Sequence, residues 1–204
     1  LYGNDGNDRL YGNDGNDRLY GNDGNDRLYG NDGSDRLYGG IGEDDMRGGD
    51  GNDTYFVDNS GDIVQENANQ GNDLVKASVT YRIQNNNVEN LTLTGRSNIN
   101  GSGNSLDNTL LGNSGDNKLY GKDGDDIFYG GEGNDKIYGW KGEDIIYGED
   151  GDDYLKGHYS KDKLYGGAGA DILLGGTSAD ELYGGEGNDK LYGESSADKL
   201  YGGA

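Results

Sequence analysis

A tandem period of nine residues constrains this chain more than any other feature. Residues 1–27 are three identical copies of LYGNDGNDR, and 28–36 is a fourth with Ser34 in place of Asn. Counted from the glycine, the register runs from Gly3 through Gly12, Gly21, Gly30, Gly39 and Gly48, stops after Phe56, and returns at Gly103 to continue in steps of nine to Gly193. Self-similarity at so short a fixed period marks an internal-repeat chain.

Each column of the repeat has a physical meaning. Position 1 is glycine in all seventeen units, and position 4 is glycine in all but four, where Leu106, Ser160, Ser178 and Ser196 stand. Such columns mark backbone that needs a positive φ or a close approach. Position 2 is Gly or often Asn, which tolerates the left-handed region. Position 8 is apolar throughout, from Leu10 and Leu19 to Leu191 and Leu200. The implied unit is a six-residue turn followed by a three-residue strand whose middle side chain points inward.

Position 6 is Asp in fifteen units: Asp8, Asp17, Asp26, Asp35, Asp44 and Asp53 in the first array, then Asp126, Asp135, Asp144, Asp153, Asp162, Asp171, Asp180, Asp189 and Asp198 in the second. Asn108 and Asn117 take the position in the units just after the interruption. Were such units stacked, these carboxylates would stand in columns one strand spacing apart, about 4.8 Å. At an effective dielectric near 20, each like-charge neighbour pair then costs roughly 3 kcal/mol.

The composition offers little to offset this. Only 30% of the chain is apolar and its formal charge is −22, the balance of a disordered polypeptide. With no cysteine, neither disulfides nor thiolate metal sites are available. The acidity disfavours nucleic acid and anionic lipid as partners. There is no apolar run long enough to span a membrane and no visible signal peptide. Multivalent cations are the natural counter-charge. Many oxygen ligands on flexible turns suit calcium better than magnesium or zinc, so the chain is expected to bind multiple calcium ions through the fifteen aspartates and to fold with them.

The motifs GGDGND at 48–53, GGEGND at 130–135 and 184–189, and GGAGAD at 166–171 resemble the glycine-rich nonapeptides of RTX (repeats-in-toxin, hemolysin-type calcium-binding) proteins. The resemblance implies an all-β chain, a parallel β-roll or right-handed β-solenoid in which two nonapeptides make one coil and calcium sits between stacked turns. It also implies a bacterial protein, extracellular or at the cell surface, exported unfolded by a type I system and folded outside by calcium. Three segments follow: an N-terminal array over 1–56, an irregular β-rich, calcium-free insert over 57–102, and a C-terminal array over 103–204. The insert either continues the roll with irregular coils or packs against its side. Its acids Asp58, Asp62, Glu66, Asp73 and Glu89 read as ordinary turn and strand-end residues.

Position 9 is Tyr in most units, and position 7 on the same face often carries Arg or Lys. Both point outward if position 8 points inward. Outer tyrosine and basic ladders should result, giving cross-strand stacking and cation–π support or else a flat face for polysaccharide or another roll. His158 and Trp140 at position 2 read as exposed substitutions without a role. With one histidine and no cysteine, a nucleophilic triad or catalytic zinc site is excluded, and the chain is expected not to be an enzyme. Because the repeats start and stop mid-unit, the chain reads as a segment of something larger. The leading role is a structural or secretion-assisting calcium-folded module. The alternative is a filament, surface-layer or adhesin subunit that self-associates through roll ends or tyrosine faces.

Overall fold

The computed structural model describes residues 1–84 and 87–204. Every secondary-structure element among them is a β-strand, so no helix is long and apolar enough to cross a membrane. The chain divides into two compact units, Leu1–Thr94 and Gly95–Ala204.

In the first unit, Tyr2–Asp5, Arg18–Asp23, Arg36–Ile41, Thr54–Val57, Leu74–Ala77 and Asn90–Leu93 form one face, each pairing in parallel with the next. Arg9–Asp14, Arg27–Asp32, Asp45–Asp50 and Ile63–Gln65 form the opposite face in the same way. Leu19 lies opposite Leu37 and Leu28 opposite Met46, so one coil takes eighteen residues, or two nonapeptides. In the second unit one face runs from Thr109–Leu111 through Ile127–Glu132, Ile145–Asp150, Lys163–Ala168 and Glu181–Glu186 to Lys199–Gly203. The other runs from Gly101–Ser102 through Lys118–Asp123, Lys136–Lys141, Tyr154–His158 and Ile172–Gly176 to Lys190–Glu194.

The strands are six residues long in most repeats rather than three, because pairing extends through the glycine at position 1 into the turn. Alternation then buries positions 8 and 1 and turns position 9 outward, as in Leu28, Tyr29 and Gly30. In the repeats the core is accordingly one inward Leu, Ile, Met, Phe or Tyr per strand, interleaved with glycine, and Val57, Val64, Val75 and Val88 continue it through the insert. Gly30 has ordinary φ but no room: a β-carbon there would run into the carboxylate of Asp35. Gly24 at position 4 has φ +131, which L-residues avoid. Ser160, Ser178 and Ser196 adopt the same left-handed turn at φ 70, 84 and 99, so the turn survives without its glycine at about 1 kcal/mol of strain each.

In Leu1–Thr94 the segment after the first array continues the roll rather than packing on its side. Thr54 pairs with Leu74, twenty residues on, and Leu74 with Asn90, sixteen on. One long coil and one short coil together keep the pitch of two regular ones. Asp45 meanwhile pairs with Ile63 at the regular eighteen.

Outward tyrosines stack as expected: Tyr2, Tyr20, Tyr38 and Phe56 at centroid spacings of 4.8, 4.5 and 4.0 Å, and Tyr147, Tyr165, Tyr183 and Tyr201 at 4.8, 4.8 and 4.7 Å. The cation–π contacts among the described residues differ from expectation. They come from Arg47 over Tyr29 and Lys76 over Phe56, cations that replace tyrosine within its own column, not from the position-7 ladder beside it. Trp140 and His158 are also more than isolated surface substitutions. They are opposite each other in adjacent strands and stack at 4.5 Å, with His158 half-buried.

Candidate metal centre

Each position-6 residue sits just before a strand, where the turn closes. In the first unit the backbone N–H of Asp8 donates to Asp26 Oδ1, Asp26 to Asp44 and Asp44 to Asp62, at 2.7, 2.8 and 3.1 Å. On the opposite edge Asp17 donates to Asp35, Asp35 to Asp53 and Asp53 to Asp73, at 2.7, 2.7 and 2.8 Å. The second unit repeats the pattern from Asn108 through Asp126, Asp144, Asp162 and Asp180 to Asp198. Its other edge runs from Asn117 through Asp135, Asp153 and Asp171 to Asp189. One carboxylate oxygen of every aspartate in these columns after the first, Asp8 and Asp17 excepted, is thus satisfied by the coil before it.

The other oxygen is not. Oδ2 is buried without a hydrogen-bond partner in Asp8, Asp17, Asp26, Asp35, Asp44, Asp53, Asp126, Asp135, Asp144, Asp153, Asp162, Asp171, Asp180 and Asp189. Fourteen of the fifteen aspartates singled out by the period therefore share one geometry, including Asp162 and Asp180, whose turns carry serine. Asp198, in the last coil, is half-buried and outside that set. An unpaired buried carboxylate oxygen is costly. Each Oδ2 lies against the position-1 glycine of its own unit, and at most of them, Gly39, Gly48, Gly139 and Gly175 excepted, the carbonyl of the next coil's glycine also converges. A β-carbon on Gly3 would come within 2.8 Å of Asp8 Oδ2 and 2.7 Å of the Gly21 oxygen, and one on Gly12 within the same distances of Asp17 Oδ2 and the Gly30 oxygen. Two hard oxygens facing one small space suit a calcium-type cation.

The acids respond as buried carboxylates do. Burial foremost pushes Asp126 and Asp162 up to about 8 and Asp44, Asp144 and Asp153 to about 7, with neighbouring carboxylates adding and the backbone N–H opposing. Burial pushes Asp135 and Asp180 to about 6. Asn117 shows the contrast. Its Oδ1 accepts from Asn113 N at 2.8 Å and its amide donates to Ile99 O at 2.7 Å. A neutral amide satisfies itself where a carboxylate cannot.

Four acids of the insert, expected as ordinary turn and strand-end residues, belong instead to this architecture. Asp62 and Asp73 extend the two columns and are buried. Glu89 follows Asp73, whose N–H donates to it at 2.8 Å. Glu66 is buried and accepts from Gly48 N, Gly49 N and the Tyr55 hydroxyl. A local signal existed for two of them: Gly61-Asp62-x-Val64 and Gly71-x-Asp73-x-Val75 keep the spacing of positions 4, 6 and 8 or part of it. Asp62 differs from the repeats in that its Oδ2 accepts from Asp58 N and Asn59 N, both at 3.2 Å, so that column ends without an orphaned oxygen.

Stacked parallel coils edged by columns of half-satisfied aspartates define a repetitive, oxygen-rich β-solenoid. The family model described as the RTX calcium-binding nonapeptide repeat, in four copies per match, fits residues 2–37, 20–55, 102–137, 120–155, 147–177 and 174–204. The chain belongs to that family, whose repeats build calcium-binding structural β-rolls. No curated protein matches it.

Proposed function

We propose that this chain is a calcium-folded β-roll segment of a secreted bacterial protein, structural or secretion-assisting in role rather than catalytic, with the fifteen position-6 aspartates as its calcium ligands. The observation that carries the reading is the set of fourteen buried Oδ2 atoms without partners. A protein that kept them for stability alone would do better with asparagine, as Asn117 illustrates. On this reading the acids serve metal rather than proton transfer. A chain of −22 charge and 30% apolar content stays extended where calcium is scarce, the state in which export takes place, and orders where calcium is abundant.

The experiment is calcium titration by calorimetry on the wild type and on Asp144→Asn. The wild type is expected to bind on the order of ten ions, and the variant to bind fewer by one or two while keeping its fold in excess calcium. Binding of one ion or none by the wild type contradicts the proposal.

A further inference from the structure

The first array hands over to the insert at a cluster unlike any repeat turn. Counting coils puts Glu66 in the column of Gly48, since it lies eighteen residues on and bonds to the Gly48 N–H at 3.0 Å. Glycine fills that column in all seventeen repeat units. A side chain fits here because the chain takes twenty residues, not eighteen, to come round from Thr54 to Leu74. The two extra residues clear the turn that would otherwise bring an aspartate against the β-carbon.

The carboxylate of Glu66 therefore reaches the edge of the roll from the inside. Ligand oxygens of Asp53, Glu66 and Asp73 lie within 4.8 Å of one another, and the three residues are 1%, 6% and 1% exposed. Asp53 Oδ2 has no hydrogen-bond partner. It faces the cluster: a β-carbon on Gly48 would run into both Asp53 Oδ2 and the Tyr55 hydroxyl, and that hydroxyl bonds to Glu66.

We infer that Asp53, Glu66 and Asp73 form a distinct divalent-cation site at the junction of array and insert, filled before the repeat sites. The inference rests on the calcium-folded reading above. Affinity for a hard dication rises with the number of charged oxygens and the rigidity of the cage. Here a third carboxylate joins the two that stacking supplies, and Tyr55 and the Gly48 and Gly49 amides hold it in place. A cation seated there fixes the first coil of the insert against the last coil of the array, giving the array a folded end from which further coils order.

The test uses the full chain with terbium chloride as probe, because a bound lanthanide emits when a nearby tyrosine absorbs. At one equivalent of terbium, wild type is expected to give tyrosine-sensitised emission that calcium displaces. Tyr55→Phe should lower it several-fold, because it removes both the tyrosine beside the site and the hydroxyl that holds Glu66. Glu66→Gln should weaken the tightest class of calcium sites at least tenfold and leave the remaining count intact. Glu66→Asp, which keeps the charge on a shorter arm, should fall between the two, and it serves as the readout if the glutamine variant does not fold. If wild type binds many ions while all three variants match it in first-equivalent emission and affinity, the junction site is overturned and the ladders stand. If wild type binds neither terbium nor calcium, both readings fall together.

Discussion

In millimolar calcium the chain is expected to give the far-ultraviolet circular dichroism of a β protein, and excess EDTA is expected to remove more than half of that signal. The reason is electrostatic. Successive carboxylates in each column are tied one coil apart through a backbone N–H, as Asp126 is to Asp144 at 2.9 Å. At one strand spacing and an effective dielectric near 20, every such neighbour pair costs roughly 3 kcal/mol when both are charged. A few pairs suffice to exceed the ~5–15 kcal/mol that holds a typical domain together. The opposing term is thin, since the core is one inward side chain per strand with glycine between. A dication reverses the sign of the edge term and leaves the core term as it was. Full β signal in EDTA at pH 8 would show that the roll stands without metal.

Acid is expected to substitute in part for calcium. Burial holds the folded-state carboxyls of Asp126 and Asp162 at about 8 and those of Asp44, Asp53, Asp144 and Asp153 at about 7, against 3.8 in the unfolded chain. A raised folded-state value means that the folded form holds more protons. Its contribution to stability is therefore complete below about pH 4 and is lost as pH rises through 6 to 8. In EDTA, β signal and thermal midpoint should consequently fall between pH 4 and pH 8. In calcium the dependence should reverse, because the ion displaces those protons and binds better as pH rises. Parallel pH profiles with and without calcium would contradict this.

The sequence made the regular part of this architecture legible because a strict period leaves few choices. Once Leu28 is inward, Tyr29 is outward and Asp35 closes the next turn, and the observed register of eighteen follows from stacking alternate units. What the period hid lies where the spacing breaks. The coil from Thr54 to Leu74 has two residues more than eighteen and the next has two fewer, so the period of nine fails at Asp73 and Val75, whereas Asp62 and Val64 still stand nine residues after Asp53 and Tyr55. Glu66 had no local signal at all. Its position lies on the glycine column, two nonapeptides after Gly48, and there it reverses the rule of the repeat. The outer face was legible as stacked tyrosine, while its cation–π contacts depended on Arg47 and Lys76 replacing tyrosine in single rows.

Crystals grown in calcium, measured at a wavelength where calcium scatters anomalously, locate the ions directly. The account predicts a file of anomalous peaks along each edge of both arrays, each beside an Oδ2 such as those of Asp26, Asp35, Asp144 and Asp153. A folded roll whose edges carry no such peaks, with those oxygens hydrogen-bonded to water instead, would contradict it.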